Sequence, residues 1–417
     1  MKKLSSASRE VLNLWLSVAG QGVSGLGHYL FSFAMGLYVL SLTGSAQSYA
    51  VTVAISLLPS ALLSPIVGTL ADRVSKKLLV VTSDALNSLL LLCSFFLALT
   101  RPLTVGSIYL ITFLMSLLRP FVEVPFLSAG PRLVSDRQLS RLVSYRSAVM
   151  SIIQVAAPVL GGAVYAVLDL RMFILFSSIA YALSALSELF IDFDFNTPPD
   201  DGQPHESFLA TLRGGASYLF SSRLLVAIIC FCMALNLIFS AMDALLPFSI
   251  LEILKLSERS YGIIMAAFSV GNLLGSVYIG RKNLSFSRRL LSVSIALCAL
   301  FLVCLAVLIS APLAPAAASV LLCLSCMLFG IIVSFPNITA SVFLQRLVPG
   351  KLLGRVNGLF GMATTLLTPL GMLLFGTLAD HFAPSAILMT CAVLIGGLSL
   401  IGHRMTSLDE AVASLSS

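Results

Sequence analysis

The chain has 417 residues, of which 58% are hydrophobic and only 10% charged, with a formal net charge of +7. Soluble domains carry about 25% charged residues, so a water-soluble fold is excluded: it could not cover this much apolar surface. The excess positive charge lies in short loops between apolar runs, where it marks membrane topology and not a nucleic-acid footprint, so no nucleic-acid partner is expected.

Many apolar runs reach about 20 residues, the length a helix needs to cross the hydrocarbon core of a bilayer, so the predicted fold class is an all-α membrane protein of twelve transmembrane helices in two pseudo-symmetric six-helix bundles. In chain order the spans are expected near residues 11–40, 49–70, 78–99, 104–127, 143–168 and 171–191, then 223–251, 261–280, 289–310, 316–341, 355–378 and 384–403. The first run is too long for the apolar region of a cleavable signal and is expected to be retained. The one long polar interruption, residues 192–222, opens with Asp192 and Asp194 and contains Pro198, Pro199 and Pro204. It divides an N-terminal bundle (residues 1–191) from a C-terminal bundle (223–417) as a cytoplasmic linker. With the N-terminus in the cytoplasm, only Arg101, Arg171, Lys255 and Arg259 fall on the outer side and the other 21 of the 25 basic residues on the inner side. That asymmetry places both termini in the cytoplasm.

The eight cysteines all fall in expected spans, so no disulfide framework is expected. Cys323 and Cys326 form a C-x-x-C without a second ligand pair and behave as small hydrophobes. No metal and no cofactor is expected. Gly20, Gly22 and Gly25 spell a dinucleotide-type glycine pattern, but no strand precedes them, and a small-residue packing face is the better reading. The chain has no ATP-binding loop of the G-x-x-x-x-G-K-[ST] type, and its four histidines are dispersed. An ATP-driven pump and a membrane enzyme are therefore disfavoured.

An internal repeat links the fifth and eleventh spans: Pro158 precedes Asp169 by eleven residues, and Pro369 precedes Asp380 by the same interval. Such duplicated bundles are a common plan of secondary transporters. Between spans two and three stands G-T-L-A-D-R-V-S-K-K, Gly68 to Lys77. On this stretch the chain resembles the major facilitator superfamily, whose loop reads Gly-x-x-x-Asp-Arg-x-Gly-Arg-Lys. Gly68, Asp72, Arg73, Lys76 and Lys77 match, with lysine for arginine at Lys76, while Ser75 stands in place of a glycine. Gly68 would allow close helix packing. The resemblance implies that Asp72 holds the cytoplasmic face closed by meeting the start of span eleven, where a helix N-terminus favours a carboxylate.

In span five, Ala157 to Gly162 reads A-P-V-L-G-G and is similar to the Gly-Pro-x-x-Gly-Gly motif of the superfamily's exporters. Pro158, Gly161 and Gly162 match and would make a kinked, tightly packed gate helix, with simple packing as the competing reading. Together with the stretches before spans five and eleven, these features resemble the bacterial drug-efflux branch that exports macrolides and siderophores.

Charged groups inside spans cost roughly 2.5 to 3.5 kcal/mol each on insertion scales, so each is a functional candidate. Arg119 and Glu123 stand four apart on one face of span four and would form an ion pair that responds to protonation, unless Pro120 and Pro125 end the helix there. Asp243 in span seven has no neighbouring base in the sequence and is read either as a proton carrier or as a carboxylate near the outer surface. His28 in span one is either a buried hydrogen-bonded histidine or a cavity residue. Asp84 and Asn87 are read as packing groups. Tyr29, Phe33, Gln154, Asn236, Phe239 and Asn337 are the candidates for an adaptable substrate cavity.

The expected function is secondary active transport in the bacterial inner membrane: proton-coupled efflux of a small amphipathic or lipophilic compound of drug, macrolide or siderophore type, by alternating access. A lipid or lysolipid flippase of the same fold is the alternative, with a channel or a non-transporting sensor behind it. The expected partners are the small-molecule substrate, protons and the lipid bilayer, and a monomer is expected.

Overall fold

The computed structural model describes residues 6–71, 73–165, 169–196, 217–282, 287–348 and 350–404. These are almost entirely helical, and no strand occurs among them. In chain order the helices are α1 (Ser6–Thr43), α2 (Ala46–Ala71), α3 (Lys76–Thr100), α4 (Val105–Leu118), α5 (Pro120–Leu133), α6 (Asp136–Tyr165) and α7 (Leu170–Glu188). They are followed by α8 (Arg223–Phe248), α9 (Glu258–Lys282), α10 (Arg288–Ser310), α11 (Pro315–Leu347), α12 (Gly350–Ala379) and α13 (Pro384–Arg404). A π-helical turn, Ser249–Ile253, extends α8 beyond Pro247.

Among the described residues ten segments are long and apolar enough to cross a bilayer, α4 and α5 counting together as one. The remaining two expected spans fall on α6 and α12, of which α12 carries the shorter apolar piece Leu366–Ala379. Helix starts follow from local chemistry: Ser75, Thr104, Ser222 and Ser287 each accept a hydrogen bond from the backbone N–H three residues on, satisfying one of the orphan donors of α3, α4, α8 and α10. The proline at the head of α5 does not redirect the chain. Arg119 keeps right-handed helical angles, and the Glu123 N–H still bonds the Arg119 carbonyl at 3.2 Å. Pro120 occupies the first helical position, where its missing N–H is least costly.

The chain forms two compact units, one of Met1–Leu42 with Ile55–Phe208 and one of Thr43–Ala54 with Leu209–Ser417. The division differs from two contiguous halves at the start of α2. Ala50, with Tyr49 and Val53, packs against Ala244 and Met372 of the second unit. The expected linker core, residues 197–216, lies outside the described residues.

In the first unit one core cluster gathers Phe31, Met35, Leu91, Ile108, Met115 and Ile174, and a second gathers Leu14, Val80, Phe126, Leu133, Leu142 and Ile191. Helices here are joined by serines that reach across to backbone carbonyls, which is how polar side chains bind helices in an apolar medium. Ser88 and Ser178 exchange such bonds between α3 and α7 at 2.9 and 2.8 Å. Ser177 and Ser184 of α7 donate to the carbonyls of Gly27 and Gly20 on α1 at 3.2 and 3.0 Å. In the second unit α9 and α11 meet backbone to backbone: a Cβ on Gly271 would collide with the Met327 carbonyl, and one on Gly330 with the Phe268 carbonyl.

Candidate functional site

The first unit holds a half-open pocket of about 50 Å³, room for a few water molecules, bordered by both polar and apolar side chains. Its wall is built from α1, α3, the α4–α5 junction, α6 and α7. Arg119 is part of this wall. Its Nε donates to Glu123 Oε1 at 2.7 Å, and its Nη1 lies 2.8 Å from His28 Nε2. Arginine only donates, so His28 Nε2 accepts, which fixes the imidazole in its neutral form with the proton on Nδ1. Tyr29 lies beneath the guanidinium at 6.0 Å and meets the His28 ring edge-on at 5.7 Å. Arg119 is 22% exposed and Glu123 49%, so the ion pair is partly screened and costs little to open.

Behind this ion pair the cavity reaches Gln21, Asp84, Asn87 and Tyr181. Asp84 is fully buried, and neither of its oxygens has a hydrogen-bond partner. Its carboxyl faces Ser184 and the equally buried Glu188. Asp84 and Asn87, read from the sequence as packing groups, are both buried and also border this pocket. Glu188, which comes to Asp84 from 104 positions away, lies inside the expected span 171–191, so the cost of a charge within a span was the signal that could have singled it out.

At the signature loop, Asp72 lies outside the described residues. Arg73 is exposed. Lys76, 8% exposed, turns back to donate to the Ala71 carbonyl at 3.3 Å and to Ser128 Oγ at 3.0 Å. Lys77 donates to the carbonyls of Leu189 and Ile191 at 2.6 and 3.1 Å. Both ammonium groups thus terminate helices, α2 and α7, where carbonyls are unsatisfied and the dipole is negative. Among the described residues, a Cβ on Gly68 would meet only Val124, at an ordinary 3.9 Å, so no close approach is seen there.

In the exporter-like motif of α6, Gly161 is pressed against a ring: a Cβ would fall 2.5 Å from Phe33 Cδ1. Phe33 therefore packs between α1 and α6 and is not among the residues lining the cavity. Gly162 is buried, while the side chains of Pro158 and Gln154 lie outside what the structure describes. The second unit holds the other candidates. Asp243 and Asn236 are exposed on α8, and Asn236 returns a hydrogen bond to the Cys232 carbonyl at 2.9 Å. Tyr49 and Tyr261 bond one another beside Asp243. Phe239 joins the cluster around Phe329, which stacks on Phe301 at 4.1 Å. Asn337 is exposed on α11. The structure thus brings together Arg119, Glu123, His28 and Tyr29 in the first unit, while Asp243 belongs to the second.

Residues 7–416 match the family model described as transmembrane secretion effector. Over 409 residues the chain is 22% identical to macrolide efflux protein A of Streptococcus pyogenes, covering 95% of this chain and 97% of that protein. Over 412 residues it is 24% identical to the uncharacterized MFS-type transporter YfiS of Bacillus subtilis, covering 95% and 94%. Among solved structures, a bacterial homologue of the iron transporter ferroportin superposes with a TM-score of 0.68 at 17% identity, covering 96% of this chain and all of that one.

Proposed function

Because the chain belongs to the transmembrane secretion effector family of major facilitator transporters, we propose that it exports a macrolide-like amphipathic drug in exchange for protons, by alternating access. It is an integral multi-pass protein of the bacterial membrane, in our reading a monomer with both termini in the cytoplasm. The observation that carries the proposal is similarity to macrolide efflux protein A over 95% of the chain.

The chemistry of the cavity supports the proton half. A space of about 50 Å³ has room for water and is small beside ligand pockets of roughly 300–1,000 Å³, so we assign the His28–Arg119–Glu123 cluster to protons. The imidazole that accepts from Arg119 cannot take a second proton on Nε2 without losing that bond. A proton arriving on His28 or on Glu123 therefore removes one of the two contacts that hold Arg119, which gives the cluster two arrangements. Drug contact is assigned to α8, where Asn236 and Asp243 stand seven residues apart on one helix face. An exposed amide and carboxyl on an otherwise apolar helix are poor company for lipid and suit a watered path. We place Phe239 and Asn337 beside that path.

The test is uptake of a labelled macrolide into proteoliposomes with an acid lumen. The reading expects accumulation that collapses with a protonophore and is reduced in Glu123→Gln. Movement of lysolipid without any proton dependence would favour a flippase and overturn it.

A further inference from the structure

The cavity borders a buried carboxyl pair. Asp84 on α3 and Glu188 at the end of α7 are both 0% exposed and face one another. Glu188 Oε2 and both oxygens of Asp84 lack a hydrogen-bond partner, although Asp84 borders the cavity. Two carboxylates could not share such a site, since like charges at contact in an apolar medium repel strongly and neither would be solvated.

The charged and titratable groups around the pair do not neutralise it. Arg119, with Glu123 at the α4–α5 junction, bonds His28 of α1. Lys77 of α3 is held by the carbonyls of Leu189 and Ile191. Tyr181 of α7, which brings no positive charge, borders the same pocket as Asp84. Among the described residues no ion pair includes Asp84 or Glu188.

Proton counting at Ser184 points the same way. Its hydroxyl lies 3.0 Å from the Gly20 carbonyl and 3.1 Å from Glu188 Oε1. One hydroxyl proton cannot fully serve both acceptors, and a proton on Glu188 that donates to Ser184 Oγ completes both bonds.

We propose that Asp84 and Glu188 hold at least one proton between them and form the exchangeable proton site of the first unit. Asp84 is the point of exchange, reached through the few waters of the cavity from the half-exposed Glu123. Glu188 is the deep partner that keeps the proton. The assignment deepens the proton-coupled reading above and rests on it for its role in transport, while occupancy of the pair stands by itself.

The experiment has two arms. In proteoliposomes with an acid lumen and a pH step of one unit, exchange of one proton per drug lets the wild type accumulate macrolide about tenfold, one unit being worth about 1.4 kcal/mol. Asp84→Asn and Glu188→Gln are each expected to lose this accumulation while drug-for-drug counterflow, which moves no net proton, continues. Full accumulation in either variant overturns the proposal. The second arm is infrared spectroscopy of the purified protein at neutral pH. A protonated-carboxyl C=O band is expected in the wild type, shifted in Ser184→Ala and absent from the Asp84→Asn, Glu188→Gln double variant. No band in the wild type, an unshifted band in Ser184→Ala or a band that survives in the double variant overturns it. If the wild type fails to accumulate drug, proton-coupled export is what falls, and the infrared arm still decides occupancy of the pair.

Discussion

Gly161→Ala tests whether the exporter-like motif works through contact with Phe33. The added Cβ would sit 2.5 Å from Phe33 Cδ1 and 3.1 Å from Cε1, whereas carbon atoms rest at about 3.5–4.0 Å, so the ring must retreat by roughly 1 Å. Overpacking of this size costs about 1–3 kcal/mol. Against it stands the helix propensity of alanine, which favours the variant by about 1 kcal/mol. The two effects separate in a double-mutant cycle. In the wild-type background Gly161→Ala is neutral to destabilising by about 2 kcal/mol. In Phe33→Ala the obstruction is gone and the same change stabilises by about 1 kcal/mol, a coupling of about 1–3 kcal/mol. Thermal unfolding of the purified protein reads this out, at roughly 2 °C or less per kcal/mol for a chain of this length. An identical effect of Gly161→Ala in both backgrounds would refute the contact as the reason for the glycine.

Other outcomes follow from contacts on the same footing. Gly271→Val is expected to be worse than Gly161→Ala, by about 3 kcal/mol or more, because the obstructing atom is the Met327 carbonyl, which cannot swing aside; loss of the monodisperse peak in size-exclusion chromatography checks it. Lys77→Met removes two charge-assisted bonds to α7, about 1–3 kcal/mol, and hydrogen exchange should quicken at residues 185–191 with little change in α3. Asp380→Asn alters a carboxylate that accepts from Ser45 Oγ at 2.9 Å on an exposed surface, so its effect on unfolding should stay within about 0.5 kcal/mol.

The architecture was readable because membrane spans announce themselves by length and composition, and most expected runs coincide with helices to within a few residues. Local spacing was equally legible: Arg119 and Glu123, four apart, pair across Pro120 because the chain keeps helical angles there. What could not be read were meetings between distant helices. His28 reaches Arg119 from 91 positions away and Glu188 reaches Asp84 from 104, and neither pairing leaves a periodicity in the sequence. The basic loop misled in a different way. Lys76 and Lys77 look like surface charge, but each lies within reach of carbonyls at a helix end, and one is buried there. Phe33 read as a cavity residue because an aromatic on a span has no sequence mark that separates lining from packing.

The glycine seam between α9 and α11 has a mechanical consequence. Where side chains intervene, two helices can slide by exchanging rotamers, and the contact has slack. At Gly271 and Gly330 carbonyls sit where side chains would be, so the two helices have no lubricating layer and travel as one strut. Any rearrangement inside the second unit must therefore be taken up by α8, α10, α12 and α13, and strain gauges such as paired spin labels on α9 and α11 should report a fixed separation through the whole transport cycle.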